Sequence, residues 1–244
     1  MKVLVFDVWA DYGHFRKYYT TSSPLTFSIP PPPTVAGMLG AIVGSPRDRY
    51  LVDFSMGQLL LGIGIRRPIR KTRMGINLVN TKDGYWQPVQ KGNHEARTQI
   101  RTEFLRSPCY RLYVHHRDAQ MFEKLQRAIS EHRSYFTLAM GLSELLADFE
   151  LVGVFEGEHK SVETETVSSV VPESYLTGTE LRIEPGLRLG KEMIPVIMTQ
   201  DRIVEKYQNV IFEIEGKTLT IGPNPAKTVV VLENGLKFCT FDQE

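Results

Sequence analysis

Between Trp9 and Ser23 the sequence WADYGHFRKYYTTSS interleaves Tyr12, Phe15, Tyr18 and Tyr19 with His14, Arg16 and Lys17. Aromatic rings that stack on bases, beside cations that hold phosphates, are what single-stranded RNA recognition needs. A second cluster, RRPIRKTR at 66–73, puts five cations into eight residues, a pattern of nucleic-acid contact whose alternative is a solvated charged turn. A third set could do bond chemistry. Tyr113, His115, the adjoining His116 and the distant His14 could supply the base for a 2′-hydroxyl proton and the acid or cation for a leaving oxygen near pH 7, as RNA cleavage without metal requires. A histidine at a strand end is more often a satisfied structural group. Paired carboxylates, a Ser/His/Asp pattern and a metal box are absent from the sequence. Glu163 and Glu165, on one face of a strand, suggest no chemistry.

Charge separates these clusters from the rest of the chain. Arg66 to Arg117 holds twelve Lys/Arg against three Asp/Glu, a net of +9, whereas Glu144 to Glu184 holds two against ten, a net of −8. The whole chain is +1. A segment as basic as the first touches phosphate, or else it is a solvated face. The acidic one could limit non-specific nucleic-acid binding or face a basic protein. With 244 residues and 42% hydrophobic content, the chain can bury a normal core as one domain or two unequal ones. The apolar runs are too short for a membrane span and no cleavage site follows the first, so a cytoplasmic protein without membrane contact is expected. Cys109 and Cys239 lack metal-site spacing and read as buried thiols, and no metal or cofactor is expected.

Elements able to position these residues follow from periodicity. KVLVFDVW (2–9) is a continuous apolar run typical of a buried central strand, and LLLGIGIRR (59–67) and CYRLYVHHR (109–117) alternate with period two. Asp118 is placed to cap a helix over AQMFEKLQRAIS, and FELVGVF (149–155) reads as a strand. The order is that of an α+β, ferredoxin-like (RRM-like) β-α-β-β-α-β fold. A basic insertion at about 67–107, containing the strand-like pieces GINLVNT and YWQPV, would form a β-hairpin arm between its second and third strands. The domains are predicted as 1–157 and a small β-rich C-terminal module at 158–244. In that module VIFEIEGKTLTIG would turn at Gly216-Lys217 and VVVLENGLKFCTF at Asn234-Gly235.

SPLTFSIPPPPTVAGMLGAIVG (23–44) sets four prolines against a glycine-rich helix. Pro30 to Pro33 would be an extended, rigid lead-in, with Thr34 capping the helix. At about 100° per residue, Val35, Met38, Leu39, Ile42 and Val43 form a core face of roughly 140°, with Gly37, Gly40 and Gly44 opposite. Glycines in a helix cost on the order of 1 kcal/mol each, so a close approach should compensate: a protein backbone, a phosphodiester backbone, or tight packing of the C-terminal module. The spacing is neither a Walker loop nor a dinucleotide fingerprint.

FRKYYTTSSPLTFSIPPPPTVAGMLGAIVG, the basic insertion and LAMGLSELLADFELVG together resemble the fifth CRISPR-associated protein family, over roughly residues 1–157 and closest to type I-B members. These are RAMP-superfamily subunits of type I Cascade. The resemblance implies a ferredoxin-like palm, a β-hairpin thumb and, in antiviral defense, capping of the crRNA 5′ handle rather than turnover. Implied partners are that handle, the Cascade large subunit, the repeated backbone subunit and, indirectly, target DNA. Transferred by position, Phe15, Arg16, Lys17, Tyr19, Thr34, Gly37, Gly40 and Gly44 would meet the handle, and Arg66, Arg67, Arg70, Lys71 and Arg73 would hold phosphates at the thumb base. The type I-C branch cleaves precursor crRNA with a tyrosine, a lysine and a histidine. That reading would use Tyr113, His115, His116 or His14, but the tandem Lys-His is missing here, so no catalytic residue is expected.

Overall fold

The computed structural model of the chain describes residues 1–20, 23–79 and 97–241. The apolar N-terminal run becomes β1 (Lys2–Ala10), followed by a short β2 (Tyr12–Gly13), helix α1 (Pro32–Val43) and a single-turn α2 (Tyr50–Asp53). Next come β3 (Leu59–Ile65), β4 (Lys71–Val79), β5 (Arg97–Arg106), β6 (Cys109–His116), α3 (Ala119–Ser130) and β7 (Ala147–Val162). The rest is extended: β8 (Glu165–Val167), β9 (Val171–Pro172), β10 (Leu181–Arg182), β11 (Leu189–Met198), β12 (Val204–Glu213), β13 (Leu219–Ile221), β14 (Asn224–Leu232) and β15 (Lys237–Phe238). Asp118 caps α3 as its position predicts, its carboxylate accepting from Gln120 N at 2.8 Å and Met121 N at 3.3 Å. Among the described residues no helix is long and apolar enough to cross a membrane. Cys109 and Cys239 are buried free thiols.

The main sheet has the order β15-β14-β7-β1-β6-β3, and the pairs β7–β1, β1–β6 and β6–β3 are all antiparallel. Period-two alternation splits its side chains into two sets. Leu4, Phe6 and Val8 of β1 with Leu112 and Val114 of β6 pack on Val35, Leu39 and Ile42 of α1 and Phe122, Leu125 and Ile129 of α3. Val3, Val5 and Tyr113 face the other way, onto Val230, Leu232 and Phe238. The Phe238 ring stacks on Tyr113 at 4.5 Å and 13°, drawing β15 over the sheet. The result is a mixed α+β, sheet-dominated fold with a curled antiparallel half-barrel.

The predicted arm exists between β3 and β6. β4 and β5 pair antiparallel from Lys71↔Leu105 to Val79↔Arg97. Most of GINLVNT lies in β4, whereas YWQPV lies outside the described residues.

Two features of the C-terminal part differ from the sequence reading. No break occurs at 157/158, because β7 runs through it to Val162 and pairs with both β1 and β14. Ile194, Val196, Val210, Phe212 and Phe241 join the same core cluster as α1. The turn at Gly216-Lys217 also fails to pair the strands beside it, since β12 pairs with β11 and β9 while β13 pairs with β10 and β8. The cause is Glu213, whose carboxylate accepts from Glu215 N (2.8 Å), Lys217 N (2.9 Å) and Arg188 N (3.0 Å), turning the chain away from β12. The Asn234-Gly235 turn does join β14 to β15. Three of the ten acidic side chains between Glu144 and Glu184 pair with lysines: Glu158 with Lys160, Glu165 with Lys237 and Glu173 with Lys191.

Candidate nucleic-acid interface

α1 begins earlier than Thr34. Pro32 and Pro33 form its first turn, where a missing N–H costs nothing, and Pro31 is the N-cap, its carbonyl accepting from Thr34 N (2.8 Å) and Val35 N (3.1 Å). Thr34 is therefore no cap but the third helical residue, and only Pro30 and Pro31 form an extended lead-in. The helix closes at Gly44 in the left-handed region, φ 74°. Val35, Met38, Leu39, Ile42 and Val43 are all buried, as the helical angle predicts.

The opposite face is not bare. A Cβ placed on Gly40 would lie 2.7 Å from Tyr50 Cβ, and one on Gly44 2.6 Å from Tyr135 Cγ. Those glycines admit α2 and the 135–136 segment, whose N–H groups donate to Ile42 O (3.1 Å) and Ala41 O (3.0 Å) at the helix end. Gly37 differs. With Thr34 and Ala41 it forms one wall of a groove of about 480 Å³, opposite Thr137, Leu138 and Ala139, and Arg202 also lines it.

Of the four handle candidates before the prolines, Phe15, Arg16, Lys17 and Tyr19, two are presented to solvent. Phe15 is a core residue, 3% exposed and 6.2 Å from the Tyr110 ring, so it cannot stack on a base. Lys17 is engaged too: its Nζ lies 3.0 Å from Glu192 Oε1 and 5.3 Å from the Phe27 ring centre. Burial alone would lower the Lys17 ammonium, but the Glu192 charge and hydrogen bond hold it above its ordinary value. Glu192 also accepts from Ser28 N (2.7 Å) and Ser28 Oγ (3.0 Å), pinning the segment to β11. Arg16 and Tyr19 are exposed, and Tyr18 stacks edge-on with Tyr19 at 5.1 Å.

The hairpin has two faces. Register puts Lys71, Arg73, Arg97, Arg101 and Glu103 on one, and Met74, Ile76, Leu78, Ile100 and Phe104 on the other. Lys71 lies at the surface but is already engaged, donating to Thr26 O at 2.8 Å with Glu103 at 3.5 Å and Glu192 at 3.6 Å. Arg66, Arg67, Arg70 and Arg73 point outward. Their carboxylate contacts are slack, Arg66 to Asp7 and Arg73 to Glu103 both at 3.9 Å: Asp7 is already bidentate to Arg111 at 2.8 Å, and Glu103 also accepts from Thr26 N at 3.3 Å and meets Lys71 at 3.5 Å. Arg97 and Arg101, also exposed, extend this face beyond the residues singled out from sequence.

The four groups considered for cleavage do not converge. Tyr113 is 1% exposed under Phe238, and burial raises its hydroxyl above the ordinary value. His116 uses both ring nitrogens: Nδ1 accepts from Asp118 N at 3.1 Å and Nε2 donates to Asp53 O at 2.8 Å. His115 Nδ1 donates to Lys2 O at 2.7 Å, at the start of β1. His14 lies beyond the other end of that strand, buried, its Nδ1 donating to Glu103 O of β5 (2.7 Å) and its backbone N–H to Met140 O (3.0 Å). It thus ties the hairpin base to the wall of the α1 groove.

Burial lowers the His14 imidazole from its ordinary value, with Glu103 opposing. Both states are neutral well above pH 6.5. On acidification the unfolded chain takes up the proton first, so this part of the stability is complete above about pH 6.5 and is lost as pH falls through the lower folded value. Urea unfolding from pH 7.5 to 5 should show a steeper loss for the wild type than for His14→Gln. Parallel curves would remove His14 as the source.

The family described as CRISPR-associated protein (Cas_Cas5) matches residues 3–207. A CRISPR protein from Archaeoglobus fulgidus is 17% identical, with a TM-score of 0.56 over 98% of each chain. A chain of a CRISPR RNA-guided surveillance complex is 13% identical, with a TM-score of 0.51 over 88% of this chain and 91% of that one. At these identities the two solved structures show a shared fold. No curated protein matches.

Proposed function

Since this chain belongs to the CRISPR-associated Cas5 family, we propose that it is a non-catalytic, RNA-binding subunit of a type I surveillance complex. It holds the 5′ handle of crRNA and bridges the large and backbone subunits, meeting target DNA only through the guide. The observation that carries this reading is the open groove at Thr34, Gly37 and Ala41, joined through His14 to an arginine-faced hairpin. A strand in the groove can approach the helix backbone at Gly37, while Arg66, Arg67, Arg70 and Arg73 offer charge-assisted hydrogen bonds to its phosphates. The likeness to a chain of a CRISPR RNA-guided surveillance complex supports the assembly. Assignment to type I-B and the ferredoxin-like reading of β7-β1-β6-β3, with α1 and α3 on one face, belong to the same proposal.

The dispersal of Tyr113, His115, His116 and His14 supports binding over turnover. Labelled repeat RNA incubated with the purified protein in EDTA should be bound and remain whole. A discrete cut upstream of the handle, lost in His115→Ala or His14→Ala, would overturn the non-catalytic reading, and failure to bind handle RNA would overturn the binding one.

A further inference from the structure

The segment that follows α3 serves two grooves. Thr137, Leu138 and Ala139 wall the one at Gly37, whereas Ser134 and Tyr135 line another, of about 210 Å³, between the end of α1 and α3. Its floor is apolar, made by Ile42 and Val43 of α1 and Ala128 of α3, and its rim carries the exposed cations Lys124, Arg127 and Arg133. Glu131 is the one acid lining it among the described residues, and it is taken by Arg133 at 3.1 Å. Lys124 and Arg127, three apart on one face of α3, make no ion pair among the described residues, so the rim is left positive. Tyr135 and Phe136 stand at its edge 73% and 49% exposed, their rings edge-on at 4.8 Å. Their backbone is nonetheless anchored at both sides. His132 in the left-handed region, φ 50°, lets Arg133 N donate to Ala128 O at 2.8 Å and close α3, and the 135–136 N–H groups donate to the end of α1. The Tyr135 ring fills the space that a side chain on Gly44 would take. Aromatic and arginine side chains are what protein interfaces concentrate, and a wall already ordered loses little entropy on binding.

We propose that this groove takes an acidic segment of another protein, which seats one bulky apolar side chain on Ile42, Val43 and Ala128 and sets its carboxylates on Lys124 and Arg127. Three observations choose that occupant. The positive rim asks for an anion. A volume of about 210 Å³ lies below the roughly 300–1,000 Å³ of small-molecule sites and suits a single side chain. The aliphatic floor has no partner for the hydrogen-bonding edge of a nucleobase, which would be desolvated at a cost, whereas a leucine or phenylalanine side chain gains by leaving water there. The bridging role proposed above assigns no surface to a protein partner, and this groove supplies one together with the chemistry it recognises. It shares no lining residue with the groove proposed for the handle, so either site stands or fails without the other.

The full-length chain would be used to select from a display library of random dodecapeptides, and the most enriched peptide, synthesised with a fluorophore, would be titrated by anisotropy at about 0.1 M salt. Enriched peptides are expected to carry several Asp or Glu around one Phe, Leu or Trp. Affinity should fall at least tenfold in Lys124→Glu/Arg127→Glu and at least tenfold when the peptide's bulky apolar residue becomes alanine, and it should weaken as salt rises. Lys2→Glu, the same charge change at an exposed site on β1, should leave it as in the wild type. Handle-RNA binding by Lys124→Glu/Arg127→Glu should also match the wild type, which separates failure of this groove from failure of the handle site. Enrichment without that acidic and apolar pattern, or peptide binding that the double variant leaves intact, overturns the proposal. So does a twelve-residue oligouridylate whose binding the double variant weakens tenfold, since the groove would then be an RNA contact. Self-association in sedimentation that the double variant abolishes would seat a second copy of this chain there and overturn it equally. Lys124→Gln/Arg127→Gln keeps the test valid if the charge reversal lowers the melting temperature.

Discussion

Replacing Arg66, Arg67, Arg70 and Arg73 together with alanine should weaken handle-RNA binding by several hundredfold at about 0.1 M salt, while leaving the melting temperature nearly unchanged. For a single strand, each phosphate contact adds about 0.7 to the slope of log affinity against log salt, so four lost contacts flatten it by roughly 3. Extrapolated to 0.1 M, that difference is the several hundredfold loss. Stability is spared because Arg66 and Arg73 are 49% and 68% exposed, their acidic contacts lie at 3.9 Å, and Asp7 keeps Arg111. Filter binding from 0.05 to 0.4 M salt gives the slope. If it stays at the wild-type value, the cluster is only a solvated face and the thumb-base assignment fails.

Lys71 and Lys17 are left out of that variant for a reason the sequence could not supply. Their spacing beside arginines and aromatics is indistinguishable from that of phosphate-binding lysines. Their partner Glu192 is separated from Lys17 by 175 positions, so no local pattern encodes the pair. Phe15 fails similarly: a phenylalanine between His14 and Arg16 looks like a base-stacking residue until the Tyr110 ring is found over it. Of the groove's far wall, Thr137 and Arg202 gave no local signal either, and Leu138 and Ala139 stood out only as the start of the stretch LAMGLSELLADFELVG.

The legible elements are those whose cause is local. Period-two alternation placed β3 and β6 to within two residues, side-chain capping placed α3, and the type of turn that Asn-Gly favours placed β14 and β15. What failed depended on distant partners. The change to β-rich composition near residue 158 is real, but composition cannot report that β7 continues to Val162 because β14 arrives beside it. Proline likewise looked like an extended lead throughout, although two of the four occupy the one part of a helix that tolerates them.

The glycines of α1 give the sharpest case, because helical angle groups Gly37 and Gly40 together while their surroundings assign them opposite roles. In Gly40→Val the new Cβ would lie 2.7 Å from Tyr50 Cβ, an atom too close to the backbone to swing aside, so α2 must shift. Overpacking of this kind costs about 1–3 kcal/mol, offset only in part by the few tenths that valine gains over glycine in a helix. At roughly 2–4 °C per kcal/mol for a chain of 244 residues, a net cost of about 2 kcal/mol, in the middle of that range, should lower the melting temperature by about 4–8 °C. At Gly37 the nearest atom is Tyr50 Cε2 at 3.6 Å, an ordinary contact, and the added methyl groups enter the groove instead. Gly37→Val should therefore melt within a degree or two of wild type yet bind handle RNA at least tenfold more weakly. A Gly40→Val protein as stable as wild type would refute the packing account of that glycine. A Gly37→Val protein that binds normally would refute the groove as the handle's seat, since a strand against the helix backbone at that point has no room for a branched side chain.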